Sequence, residues 1–322
     1  MFDCHYDLLT IILMCKDKKE LLEKYCKDVY NSNNITGGIF NLFYMTYNEM
    51  KEEIGMDKED IDLIENLREV KEFIQLNKII PEGTKYIFGI EGLDYLENIE
   101  DIDVLYDLGL RSVNPVWSNA NKFGGGVRAS NNVGLTKLGV SLVEKLVEKN
   151  IAIDLSHANE ATFWDIINLC IKFKMKGKRP IVFASHSNVK TLCDVPRNLT
   201  DEQILAIKRL DGIIGVVSIK SFCVDTEDFS NTNIDFEQKY IEHISYIKKL
   251  LGGVENIAVS TDDMKYYYIY PEYYQNINIY PHCDVKTRLE TGLKENGYTE
   301  KEIRLILCDN FKHKILKRAL RN

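Results

Sequence analysis

Two stretches, IAIDLSH (151–157) and IVFASH (181–186), decide how this chain folds. Each is a short apolar run ending in Ser-His, and between them Ala161–Phe173 has apolar residues at helical spacing. Strand, helix and strand in that order make a βαβ unit, whose two strands lie parallel. Runs this apolar suit strands covered on both faces, as parallel strands are. The polar Ser-His then falls where each strand ends and its loop begins, at the end of a parallel sheet that carries chemistry.

The alternation continues in both directions. Phe2–Asp7, Ile35–Tyr44, Tyr86–Ile90 and Ser112–Val116 read as strands before it, and Gly212–Ser218 and Ile257–Thr261 after it. Lys58–Gln75, Thr136–Lys149, Asp201–Leu210 and Phe236–Leu251 read as helices, the third opened by Thr200 as a cap. Eight strands alternating with helices predict an α/β protein, one (β/α)8 TIM-type barrel spanning residues 1–322 as a single domain. The stretch from Tyr298 to Asn322 reads as C-terminal helices that close the barrel's bottom or side. No glycine-rich dinucleotide fingerprint follows the first strand, where Asp7-Leu8-Leu9-Thr10 stands instead. Two segments break the rhythm: Asn119–Val133, around Gly124-Gly125-Gly126, and Met264–Asp284, with seven tyrosines. Both follow strands, so both belong to the active face; the tyrosines suit a lid or a homodimer surface equally.

Composition narrows the function. Of 322 residues, 41 are basic and 49 acidic, a net charge of −8. That argues against nucleic acid as a partner, since neutralising phosphates takes a basic surface, but it leaves room for a small local cationic pocket. Leu8–Met14 is too short to span a bilayer, and MFDCHYD opens with acids rather than a basic leader; no membrane partner and a cytoplasmic location are expected. Eight scattered cysteines without a CxxC pair read as reduced thiols.

The six histidines divide into two sets. His5, His157 and His186 stand at strand ends, whereas His243, His282 and His313 lie on helices or among the tyrosines. His5 and Asp7 sit two apart on one strand and share a face. Glu91 ends the third strand and Asp262 follows the eighth. One Ser-His strand end alone reads as a core histidine; two in the same structural place point to a site. Three histidines with Asp7 and Glu91 suit two Zn²⁺-like ions bridged by one carboxylate, leaving Asp262 to hold and move a proton.

The order of these residues is that of the amidohydrolase superfamily, and the chain resembles the membrane (renal-type) dipeptidase family of zinc peptidases. DCHYDL (3–8), GIEGL (89–93), YDLGLRSV (106–113), GLTKLG (134–139), IDLSHANEATFWDII (153–167), FASHSN (183–188), PRNLTDEQI (196–204) and VSTDDM (259–264) carry the resemblance. It implies His5 and Asp7 as ligands of one metal, His157 and His186 of the other, Glu91 as the bridge and Asp262 as proton shuttle. It implies Arg197 as the grip on a dipeptide's terminal carboxylate. The implied reaction is attack of a metal-bridging hydroxide on the peptide carbonyl of a small dipeptide, with two Zn²⁺ as cofactors.

Four departures touch the pocket wall. Cys4 replaces a glycine, Trp117 a substrate-contacting histidine, and Ser218-Ile219-Lys220 an Asn-Phe-Tyr; Asp263-Met264-Lys265 follow the shuttle where Phe-Asp-Gly is usual. Trp117 and Lys220 are therefore expected beside the substrate. The alternatives are a related amidase acting on a specialised amide or thiol conjugate, a metal-dependent phosphodiesterase, and a non-catalytic barrel.

Overall fold

Strand β1 (Phe2–Tyr6) starts a parallel sheet that adds β2 (Gly37–Phe43), β3 (Lys85–Glu91), β4 (Leu110–Asn114), β5 (Ala152–Asp154) and β6 (Val182–Phe183) in chain order. This is a computed structural model describing residues 1–15, 20, 22–23, 34–44, 61–224, 234–263, 279–280 and 285–321. Strands β7 (Ile214–Val217) and β8 (Ile257–Ser260) pair in parallel as a second, two-stranded sheet. The sheets meet twice: Ala184 bridges to Ile214, and the Asp262 N–H donates to the His5 carbonyl at 3.3 Å.

The predicted α/β alternation is present, but as a six-stranded curled sheet plus a pair rather than one unbroken eight-stranded ladder. The ladder thins at β5 and β6, only three and two residues long, and at the seam of β8 with β1 the Asp3 carboxylate takes the Thr261 and His5 N–H groups. Beyond β5 and β6 side chains take over the backbone. Asp154 Oδ1 accepts from the N–H groups of Ser156 (3.0 Å) and Ser185 (2.9 Å), and Ser156 Oγ accepts from the His186 N–H (3.1 Å). Such bonds compete directly with ladder pairing. Strand β4 begins two residues ahead of its expected start and ends at Asn114.

Helices fill the intervals. Leu63–Asn77 starts where Asp62 accepts from the Ile64 and Glu65 N–H groups. Lys137–Glu148, Glu160–Met175, Asp201–Arg209 and Phe236–Leu251 occupy the expected segments, capped by Thr136, Asn159, Thr200 and Asp235. Their apolar faces, such as Leu142, Leu146, Ile166, Ile204 and Ile244, bury against the outside of the strands. A second cluster fills the inside near the strand starts: Phe2, Cys4, Ile39, Ile87, Ala152 and Phe183 meet Phe311, Ile315 and Ala319. The C-terminal helical stretch, Glu300–Arg304 continuing through two π-helical turns to Lys317–Ala319, thus plugs the end of the strands opposite the histidines. Among the described residues no helix is long and apolar enough to cross a membrane. Most of the tyrosine-rich segment, including His282, lies outside the described residues.

Candidate active site

Three of the six candidate metal and proton residues, His5, His157 and His186, converge on Glu91, and Asp7 and Asp262 join the group through His5. Glu91 Oε1 lies 2.7 Å from His157 Nε2 and 3.2 Å from His186 Nε2. Its other oxygen, Oε2, lies 3.2 Å from His5 Nε2. His5 Nε2 in turn stands 3.3 Å from Asp7 Oδ1 and 3.9 Å from Asp262 Oδ1. All six residues are buried. One carboxylate therefore divides its oxygens between two groups of donors.

Local backbone features aim these side chains. Against β2, Asp3 pairs with Gly38 and Tyr6 with Phe40, so Cys4 and His5 together oppose Ile39. This one-residue bulge lets Cys4 remain in the apolar plug while His5 turns into the site. His157 (φ 71°) and Asp262 (φ 47°) both adopt the left-handed region. That costs a residue with a side chain about 1–3 kcal/mol, a strain concentrated at functional sites.

A layer of polar side chains holds the ligands. His5 Nδ1 lies 3.0 Å from the Asn41 amide and 3.2 Å from Ser185 Oγ. Ser185 Oγ also lies 2.5 Å from His186 Nδ1, and Ser185 is bonded to the Asp154 carboxylate. Asp3 accepts from the Thr261 hydroxyl (2.5 Å) and N–H (3.0 Å), and from the His5 N–H (3.2 Å). It thereby ties the β8 end to β1. Asn41, Asp3 and Asp154 carry no sequence motif that marks them for this work, and Ser185 stands out only as part of a Ser-His strand end. The available signal was a polar residue inside an apolar strand, which is costly to bury unless it is bonded.

Protonation states follow from burial and neighbours. Burial, with the Arg197 charge, lowers His157 to about 4, and burial with the His5 charge pushes His186 well down. Both are neutral, the state in which imidazole offers a lone pair. Burial opposes charge on His5, but Glu91 and Asp7 outweigh it and raise its pKa. Burial likewise works against the Glu91 carboxylate, yet His5 and His157 hold its pKa well below the usual range. Burial pushes Asp262 up to about 8, with Asp7 and Glu91 adding to the rise.

The donors fit divalent metal. His5 Nε2 is buried without a hydrogen bond while facing two carboxylates. His157 Nε2 and His186 Nε2 face each other at 2.9 Å and both point at one carboxylate oxygen. In two sets, His5–Glu91–His186 and His5–Asp7–Asp262, ligand atoms all lie within 4.8 Å of one another. Two neutral imidazoles, a third on His5 that would exchange its proton for the ion, and carboxylates make a zinc-type donor set.

The remaining candidates form the surroundings. Arg197 is half-buried; its Nη2 reaches the His186 carbonyl at 3.4 Å, and its guanidinium sits 5.4 Å from the Phe222 ring centroid. The half-buried Trp117 lies beside His157 (ring centroids 5.7 Å apart) and Phe43 (5.0 Å), with Arg128 over its face. Lys220 places its ammonium 5.1 Å from the Phe236 ring centroid. His243 is not part of the cluster. Its Nδ1 accepts from the Val189 N–H (3.1 Å) and its Nε2 faces the Cys223 carbonyl (3.2 Å), a structural tie.

The family model for membrane dipeptidases, peptidase family M19, matches residues 20–320. The chain belongs to the membrane dipeptidase family. It is a family of metallopeptidases, so a divalent metal is implied, in keeping with the donors just described. A protein of Klebsiella pneumoniae, described as uncharacterised and encoded in the pqqA 5′ region, is 34% identical over 169 residues, half of this chain and 58% of its own length. The chain spans about half the length of the curated relatives it matches. Two solved structures share the fold nearly end to end. A dipeptidase of family M19 has a TM-score of 0.73 at 21% identity, covering 99% of this chain and 98% of its own. A Rhodobacter sphaeroides metallopeptidase, liganded with a phosphinate mimic of the dipeptide L-Ala-D-Ala, has a TM-score of 0.74 at 20% identity with the same coverage.

Proposed function

We propose that this chain is a dipeptidase that works with two divalent ions, zinc by its donor set. The observation that carries the reading is the division of Glu91, with Oε2 toward His5 and Oε1 toward His157 and His186. His5, Asp7 and Glu91 would hold one ion, and Glu91, His157 and His186 the other. Bound ions of this kind supply Lewis acidity and water that ionises near pH 7. The two links between the sheets support a closed eight-stranded barrel around this site.

The chain's own residues do the rest. Asp262, buried beside His5, is placed to accept and release a proton at the site. It takes the proton of the attacking water and hands it to the departing amine. Arg197 offers a planar fork to the substrate's terminal carboxylate, which sets how much chain fits after the scissile bond. Trp117, against His157, walls the pocket. Lys220 at the β7 end bears on the side chain accepted, so Lys220→Ala should change the preference between acidic and neutral dipeptides. The relative bound to an L-Ala-D-Ala mimic supports a dipeptide as substrate.

The test compares a dipeptide with its C-terminal amide. The dipeptide should be cleaved and the amide not. Arg197→Ala should lower kcat/KM on the acid about 10- to 150-fold and close the gap between the two. Arg197→Lys should lose nearly as much. Equal cleavage of both by the unaltered protein would replace the dipeptidase reading with a related amidase.

A further inference from the structure

We propose a second binding site, for a small polyphosphate anion, at the end of the strands opposite the metal-type cluster. The sequence holds two basic runs, KFKMKGKR (172–179) and KHKILKRALR (312–321). Together they contain ten lysines and arginines and no acid, in a chain whose net charge is −8. The fold brings them together. The first closes the helix Glu160–Met175 and leads into β6; the second is the C-terminal helical stretch that plugs the strand starts.

Between them lies a cavity of about 520 Å³. That is within the usual range for small-molecule sites. Lys174, Lys178, Arg179, His313, Arg318 and Arg321 line it, and Asn150, Pro180 and Asp211 mark it as the side preceding β5, β6 and β7. The candidate active site follows those same strands, so the two lie at opposite ends of the sheet.

Among the described residues, Asp211 is the one acid whose charge acts on the cavity's bases. It is already paired with Lys314 at 2.6 Å. Lys174 donates to an uncharged partner, the Arg209 carbonyl, at 2.8 Å. The Arg318 guanidinium is fixed by Nη2, which donates to the Pro180 carbonyl at 2.8 Å and the Arg179 carbonyl at 3.4 Å. Its Nη1 is buried without a hydrogen bond. An unsatisfied donor of this kind costs about 1–3 kcal/mol, which a ligand oxygen would recover. Burial lowers the Arg318 pKa, Asp211 opposes that shift, and the nearby Arg179 and Arg321 charges add to the lowering. Several permanent charges around one oriented guanidinium favour a multiply charged, oxygen-rich ligand. A single carboxylate would leave most of that charge unneutralised.

Inorganic pyrophosphate serves as the probe, titrated calorimetrically into the full-length, metal-loaded protein. Two variants report on the site: Arg318→Gln, and the double variant Lys178→Gln/Arg179→Gln, whose exposed side chains hold no part of the fold. The unaltered protein should bind, with affinity falling as salt rises. Both variants should bind at least tenfold more weakly with unchanged metal content. Should Arg318→Gln fail to fold, the double variant decides alone. Equal affinity in the unaltered protein and the variants would place pyrophosphate on the metals and overturn the proposal. No binding at millimolar pyrophosphate would also overturn it. So would attachment to anionic phospholipid vesicles without pyrophosphate binding, because the patch would then serve a surface rather than a small anion.

Discussion

Asp262→Asn keeps the size of the side chain but removes its ability to accept a proton. The buried residue stands 3.9 Å from His5 Nε2, so the substitution tests proton transfer and not packing. Turnover should fall about 10²–10⁴-fold with metal content retained, read as kcat alongside elemental analysis. Glu91→Gln should act differently. An amide has one carbonyl oxygen to offer in place of two carboxylate oxygens, so occupancy of at least one metal should fall. His5, Glu91, His157 and His186 were legible in the sequence because each is a titratable group ending an apolar run, where burial demands a purpose. Asn41 and Ser185 were not. Asn41 meets His5 across 36 positions and Ser185 meets it across 180, contacts that no local pattern encodes.

Strand β3 packs against β2 with no room for a side chain at Gly89. A Cβ on Gly89 would stand 2.0 Å from Asn41 Oδ1 and 2.7 Å from an Ile39 methyl. Gly89→Ala should therefore push Asn41 off His5, costing about 1–3 kcal/mol of stability and weakening metal retention against a chelator. Thermal unfolding and chelator competition would measure both. A second element-level test concerns the helix Phe236–Leu251. Its His243 joins the segment after β6 to the one after β7, and burial lowers its pKa from 6.5 to about 4. The unfolded chain takes up the proton first, so stability is full above about pH 6.5 and falls as the pH drops toward 4. The loss approaches roughly 3 kcal/mol. The stability gap between the unaltered protein and His243→Gln, followed by denaturant unfolding, should narrow over that interval. Strands were readable because apolar runs of 4–8 residues between polar turns have few other uses. The shortness of β5 and β6 was not, because Asp154, Ser156 and Ser185 replace ladder bonds only once the strands are side by side.

Across the whole molecule, the strand starts are sealed by Phe311, Ile315 and Ala319, and the strand ends gather every candidate metal ligand. The alternation of strands and helices made this polarity legible, since the chemistry of such folds sits after the strands. The cationic cavity was legible only as an allowance within an acidic chain, because runs 172–179 and 312–321 become one surface through folding. Titrating the metal-stripped chain with zinc, while following hydrolysis of L-Ala-L-Ala and L-Ala-D-Ala at each addition, tests the dinuclear dipeptidase most directly. Activity should be absent without metal, rise with each increment and level off at about two equivalents. Full hydrolysis by the stripped chain, or none at saturating zinc, would contradict it.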